Sequence, residues 1–215
     1  MNKKITFIFD LDGTLLDSTD QIARCINRAR EENGYPGLNE RSIIELIGLP
    51  ADALVRDLSI NHAQEQKIIE EFRWYLKQEI SSQNKLFPCV EDFLMRCESF
   101  NIKMGIASSK PHHLVEQIIK KTNLSFYIEH FQGIDNFLGK PNPTVILKVM
   151  ERIESDKYLM FGDRIEDVMA AKAAGIDCIG ISQTFHTSIQ LINAGAIKSF
   201  SNFCEANLEF SNIIQ

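Results

Sequence analysis

The chain has 215 residues, 44% hydrophobic and 24% charged, which is the ordinary globular range and excludes disordered or collagen-like classes. It carries 23 basic and 29 acidic side chains, a net charge of −6 with no basic block, so nucleic acid and anionic membranes are set aside as partners. No segment approaches the length of a membrane span, and the apolar stretch after Lys3 and Lys4 stops at Asp10, too early for a signal peptide.

The first element is a buried strand, Ile5-Thr6-Phe7-Ile8, leading into Phe9-Asp10-Leu11-Asp12-Gly13-Thr14-Leu15. Residues two apart on a strand point the same way, so Asp10 and Asp12 face one cleft while Leu11 turns into the core. Gly13 permits a sharp turn at the strand end. Two carboxylates held together repel unless a cation or a shared proton intervenes, so the pattern points to a metal and to chemistry on an anion.

Residues 18–85 have no evident strand. Ser18-Thr19-Asp20-Gln21 fits a capping box that starts a helix, and Gly34-Tyr35-Pro36-Gly37 ends it. A short helix is expected over Glu40 to Ile47, broken by Gly48-Leu49-Pro50, and another from Ala51. A long helix from Ala63 to Ser81 carries one apolar stripe, Ile68, Phe72, Leu76 and Ile80. Phe87-Pro88 returns the chain to the core. Four more apolar segments read as strands: Lys103 to Ala107, Phe131 to Ile134, Tyr158 to Phe161 and Cys178 to Ile181. Helical patterns lie between and after them at Val90 to Phe100, His112 to Thr122, Pro143 to Ile153, Ile165 to Ala174 and Ser188 to Ala194. A last helix is expected after Ser199. This alternation predicts an α/β fold, a parallel sheet with helices on both faces, plus an inserted all-helical cap. The expected division is a core of residues 1–17 and 87–215 and a cap of residues 18–86. Cys25, Cys89, Cys97, Cys178 and Cys204 are scattered, which predicts five free thiols, no zinc site and a cytoplasmic location.

Sheets of this kind bind ligands at the carboxyl ends of their strands, and the remaining polar candidates sit there. Ser108-Ser109-Lys110-Pro111 offers hydroxyls and backbone N–H groups at a strand-to-helix turn, suited to phosphate oxygens. Lys140, in Gly139-Lys140-Pro141-Asn142-Pro143, is a compact cation in a rigid turn. Asp163 and Asp167, in Gly162-Asp163-Arg164-Ile165-Glu166-Asp167, lie at a strand tip and in the next helical turn, so both reach one cavity.

These four segments, in this order, resemble the four motifs of the haloacid dehalogenase superfamily of phosphohydrolases. The resemblance implies a Rossmann-like core and a magnesium ion. Asp10 would be the covalent nucleophile and Asp12 the general acid and base. Ser108, Ser109 and Lys140 would hold the phosphoryl group, and Asp10, the Asp12 carbonyl, Asp163 and Asp167 the metal. Ser109 stands where many relatives have Asn, and Arg164 where they have Ser or Thr. Asp12 separates the chain from the dehalogenase branch, where an aromatic residue is usual. The insert and Ile47-Gly48-Leu49-Pro50 resemble the cap of phosphoglycolate phosphatases. The mutase branch usually has a His and an Arg where this chain has Ile22 and Ala51. Arg24, Arg28 and Arg56 are candidates to meet a substrate carboxylate, with a solvated helix face the plainer reading of each. The implied substrate is a small phosphorylated metabolite such as 2-phosphoglycolate, handled by a monomer or homodimer. A β-phosphoglucomutase-like phosphotransferase, a pyrophosphatase or nucleotidase, and a non-catalytic binding protein are the alternatives.

Overall fold

The computed structural model describes residues 3–39, 42–43, 62–79 and 85–214. Six strands form a parallel sheet: β1 (Ile5–Phe9), β4 (Lys103–Pro111), β5 (His130–Ile134), β6 (Lys157–Gly162), β7 (Asp177–Ile181) and β8 (Lys198–Phe200). Their order is β5-β4-β1-β6-β7-β8, with β1 between β4 and β6. Two-residue strands β2 (Leu16–Asp17) and β3 (Lys85–Leu86) pair antiparallel where the chain leaves and re-enters the sheet domain.

Alternating residues of the strands feed two apolar layers, as the pleat requires. Phe7, Phe9, Met104, Ile106, Leu159, Phe161, Ile179 and Ile181 face one way, against α3 (Val90–Ser99), α4 (His112–Lys121), α8 (Phe203–Leu208) and α9 (Phe210–Ile213). Ile8, Ala107, Met160 and Cys178 face the other, against α5 (Thr144–Met150), α6 (Ile165–Ala173) and α7 (Ser188–Ala194). Gly105 belongs to this second face because a Cβ there would come within 2.5 Å of Val149. Between β2 and β3 the described chain is helical. α1 (Thr19–Glu32) packs on α2 (His62–Glu79) through Ile22, Ile26, Ile68, Phe72 and Leu76.

Several expectations need correction. The strand expected to stop at Ala107 continues as β4 to Pro111, with a register shift after Ala107, so Ser108 and Ser109 are strand residues. Ser199 lies inside a sixth strand, β8, because its neighbours pair with β7 before the terminal helices begin. Ser18 precedes α1 but makes no side-chain cap bond, and its hydroxyl is buried without a partner. The expectation of five free thiols fails, because Cys89 and Cys204 form a disulfide with Cα atoms 5.0 Å apart. The two are 115 residues apart in sequence, and only the packing of α8 on α3 brings them together. Cys89 adopts φ +62, a backbone region that glycine favours. Cys25, Cys97 and Cys178 are buried thiols, and burial pushes Cys25 up to about 12. The helices expected over 40–47 and from Ala51, Gly48-Leu49-Pro50, Arg56 and Ile80 fall mostly or wholly outside the described residues.

Candidate active site

Asp10 is the first residue after β1, and its N–H donates to the Phe161 carbonyl of β6 at 2.8 Å. The chain then turns: the Gly13 N–H donates to the Leu16 carbonyl at 2.9 Å, and Gly13 has φ +88. This turn points the Thr14 hydroxyl at Asp163 Oδ1, 2.6 Å away. Asp163 follows directly after β6, and Asp167 lies in the first turn of α6. The Asp167 carboxylate accepts the Arg164 N–H at 3.1 Å. Gly162 makes this approach possible, since a Cβ there would stand 2.4 Å from Asp167. Carboxylate oxygens of Asp10, Asp163 and Asp167 all lie within 4.8 Å of one another, and all three residues are buried.

Lys140 enters from the loop after β5, across a cis peptide to Pro141. Its ammonium binds the Asp10 carboxylate, Asp167 Oδ1 at 2.5 Å and the Ala107 carbonyl at 3.0 Å. Its N–H donates to Ser109 Oγ at 3.1 Å, while the Ser108 hydroxyl accepts the Lys110 N–H at the same distance. The structure therefore brings Asp10, Asp163, Asp167, Lys140 and Ser109 into direct or near contact. Ser108 lies beside them at the end of β4.

The electrostatics of the cluster are one-sided. Three buried carboxylates face one ammonium, so ionising all three would leave two negative charges in a site that water barely reaches. Burial, followed by the charge of Asp167 and offset in part by Lys140, pushes the Asp10 carboxyl up to about 7. Burial and the charges of Asp10 and Asp167 raise Asp163 well above the usual carboxylate range. Burial works against the Lys140 ammonium, but Asp10 and Asp167 outweigh it and hold its proton more firmly than usual. Asp163 Oδ2 is buried with no hydrogen-bond partner. An all-oxygen set with an orphaned oxygen and two uncompensated charges fits a hard divalent cation.

The haloacid dehalogenase-like hydrolase family matches residues 7–181. This chain belongs to it. A phosphoglycolate phosphatase from Vibrio parahaemolyticus is 30% identical over 190 residues, covering 83% of each chain. One from Vibrio vulnificus is 29% identical over 193 residues, again covering 83% of each. Among solved structures, a predicted phosphatase from Clostridium acetobutylicum is 26% identical, with a TM-score of 0.87 over 99% of this chain and 100% of that one. Within the haloacid dehalogenase-like hydrolases, the chain is thus phosphoglycolate-phosphatase-like.

The family motifs leave three features of this site unread. Lys110 Nζ bonds Asp12 Oδ2 at 2.6 Å, in a pair almost as buried as the Lys140 cluster. Its position two residues beyond Ser108, on the strand beside β1, was the available signal. Asp12 Oδ1 is buried and unpartnered. Thr14, a motif residue with no expected role, braces Asp163. The third feature is a cleft of about 900 Å³ lined by Arg73 of α2 and by Ser109, Pro111, His113, Phe137 and Gly139. Arg24 and Arg28 lie elsewhere, on helix surfaces beside Glu79 and Glu32.

Proposed function

We propose that the chain is a magnesium-dependent phosphatase that hydrolyses a small phosphomonoester of the 2-phosphoglycolate type through an aspartyl-phosphate. The observation that carries this reading is the buried Asp10–Asp163–Asp167 cluster held by Lys140. Asp10, the Asp12 carbonyl, Asp163 and Asp167 would hold the ion, which supplies positive charge to the phosphoryl oxygens. Asp10 attacks phosphorus, the new Asp10–phosphorus bond forms, and the bond to the leaving oxygen breaks. Asp12 gives that oxygen its proton. Lys110 holds the Asp12 carboxyl through Oδ2, and Oδ1, which has no hydrogen-bond partner, is the oxygen that carries the exchanged proton. Asp12 then takes a proton from water, which hydrolyses the aspartyl-phosphate and frees Asp10. Lys140, Ser108 and Ser109 bear the charge that grows on the phosphoryl oxygens.

We take residues 18–86 as a cap over a core of residues 1–17 and 87–215. The organic part of the substrate occupies the cleft that Arg73 and His113 border. A carboxylate there would meet the Arg73 guanidinium, which supports an acidic small metabolite. Ile22 is buried in the α1–α2 cluster and offers no acid or base, which weighs against a mutase. A monomer or homodimer completes the reading, and the Cys89–Cys204 disulfide removes the free-thiol argument for a cytoplasmic location.

The test is phosphate release from 2-phosphoglycolate, pyrophosphate, nucleoside monophosphates, hexose phosphates and p-nitrophenyl phosphate, with and without magnesium. Magnesium-dependent release that is best for 2-phosphoglycolate is expected. Release from none would overturn the phosphatase reading. Bisphosphate intermediates without free phosphate would turn it into a phosphotransferase.

A further inference from the structure

The loop between β7 and α7 lies outside all four motifs, yet three consecutive side chains of it bear on the active site. Gln183 Nε2 donates to the Thr14 carbonyl at 2.7 Å and to the Gly13 carbonyl at 3.2 Å. Thr184 Oγ1 donates to the same Gly13 carbonyl at 2.9 Å. These are the carbonyls of the turn that follows Asp12, and Thr14 of that turn braces Asp163. The third residue, Phe185, closes over Gly13: a Cβ there would stand 2.4 Å from the ring and 2.5 Å from the Asp163 carboxylate. The Arg164 guanidinium lies over the same ring, 4.9 Å from its centroid.

Phe185 also packs against the apolar cluster of α1 and α2, and among the described residues it is the one member from outside the helical insert. One ring therefore touches the insert, the nucleophile turn and the residue that caps the start of α6. Side-chain amide and hydroxyl groups on the surface of a protein have water as an alternative partner. Here they are spent on two main-chain carbonyls of a glycine turn, whose freedom would otherwise be the largest in the site.

We propose that Gln183, Thr184 and Phe185 are positioning residues. Gln183 and Thr184 hold the Gly13–Thr14 turn so that Asp10, Asp12 and Asp163 keep one register, and Phe185 makes that register depend on where the helical insert sits. The catalytic consequence rests on the phosphatase reading. The holding of the turn does not.

Two measurements on the same purified proteins separate the two. In the first, Thr184→Val and Gln183→Met are compared with Thr184→Ser for kcat, KM and melting temperature. Loss of positioning lowers kcat by about tenfold or more with KM nearly unchanged, and Thr184→Ser, which keeps the hydroxyl, restores it. A kcat within about twofold of wild type for Thr184→Val and Gln183→Met overturns the catalytic role, as does an equal loss in Thr184→Ser. If Thr184→Val does not fold, Gln183→Met decides alone. In the second, amide hydrogen exchange is followed over residues 10–17. Faster exchange in the two variants, with β1 unchanged, is expected. Identical exchange overturns the holding of the turn. A wild-type protein inert toward every ester would sink the phosphatase reading and leave the exchange result to judge the loop.

Discussion

The α/β core and the α1–α2 pair each bury an apolar cluster, but they close it differently. The core's fully buried large side chains include seven phenylalanines, with Phe93 ringed by Phe7, Phe9, Phe161, Phe203 and Phe210 at centroid distances of 5.1 to 6.3 Å. Among the described residues the helix pair has a smaller, mainly aliphatic seam and fastens its edges with polar side chains. Asn33 donates to Glu71, Tyr35 to Gln64 and Tyr75 to Glu32, while the Arg28 guanidinium lies 4.3 Å from the Tyr75 ring centroid. Dense aromatic packing resists small displacements, and exposed polar contacts exchange readily with water. Groups that must stay aligned to within a fraction of an ångström sit on the first kind of structure. On the proposed reading, the part that selects a substrate sits on the second.

Mutations sharpen this contrast. On the proposed mechanism, Asp10→Asn is expected to cut phosphate release by about 10⁴-fold or more, since no other residue would replace the covalent nucleophile. Its melting temperature should not fall, because one of three crowded carboxylates is gone. Phe93→Ala should cost about 5 kcal/mol in urea unfolding and lower turnover, because Phe9 directly precedes Asp10. Phe72→Ala in α2 should cost about 3 kcal/mol, the low end for a buried Phe. Equal losses would mean that the two clusters are packed alike. Lys140→Ala is expected to raise the chemical barrier by about 3 kcal/mol, and an unchanged rate constant would remove Lys140 from the site.

A smaller effect comes from pH. The Asp10 carboxyl titrates near 7 in the fold against an ordinary value of 3.8. Across that interval the folded state holds a proton that the unfolded state has lost. Stability without a divalent cation should therefore fall as pH rises from about 4 to 7, and the raised Asp163 adds to the loss in the same direction. Added magnesium should flatten the slope, read as the urea midpoint at each pH. Stability that climbs over this range in the metal-free protein would refute the crowding of charge around Asp10. The last measurement is a count. Denatured without reductant, the chain should expose three reactive thiols, and five after reduction.

Much of this was legible in the sequence because its signals are local. The continuous apolar runs Phe7-Ile8-Phe9 and Leu159-Met160-Phe161 mark strands buried on both faces. Asp10, Asp12 and Asp163 stand at strand ends, with Lys140 and Asp167 in the segments that follow, where an α/β sheet gathers its ligands. What stayed hidden depends on which strands become neighbours. Lys110 reads as a surface lysine until β4 lies beside β1 and its ammonium reaches Asp12. Cys89 and Cys204 read as unrelated thiols until α8 packs on α3. Gln183-Thr184-Phe185 reads as an ordinary loop until β7 is set next to β6. The β8 strand was missed because Lys198-Ser199-Phe200 is too short to alternate visibly, and its edge position needs only one partner.

The disulfide also alters how the molecule would respond to mechanical load. It closes a loop of 115 residues that contains every strand of the main sheet except β1. Tension applied between the two ends of the oxidised chain would draw out β1, the central strand, while the rest of the sheet stays inside a covalent ring. About 400 Å of contour length, at ~3.5 Å per residue, would remain locked away until the bond is reduced. Pulled in an optical trap, the oxidised and reduced proteins should differ in extension by that length.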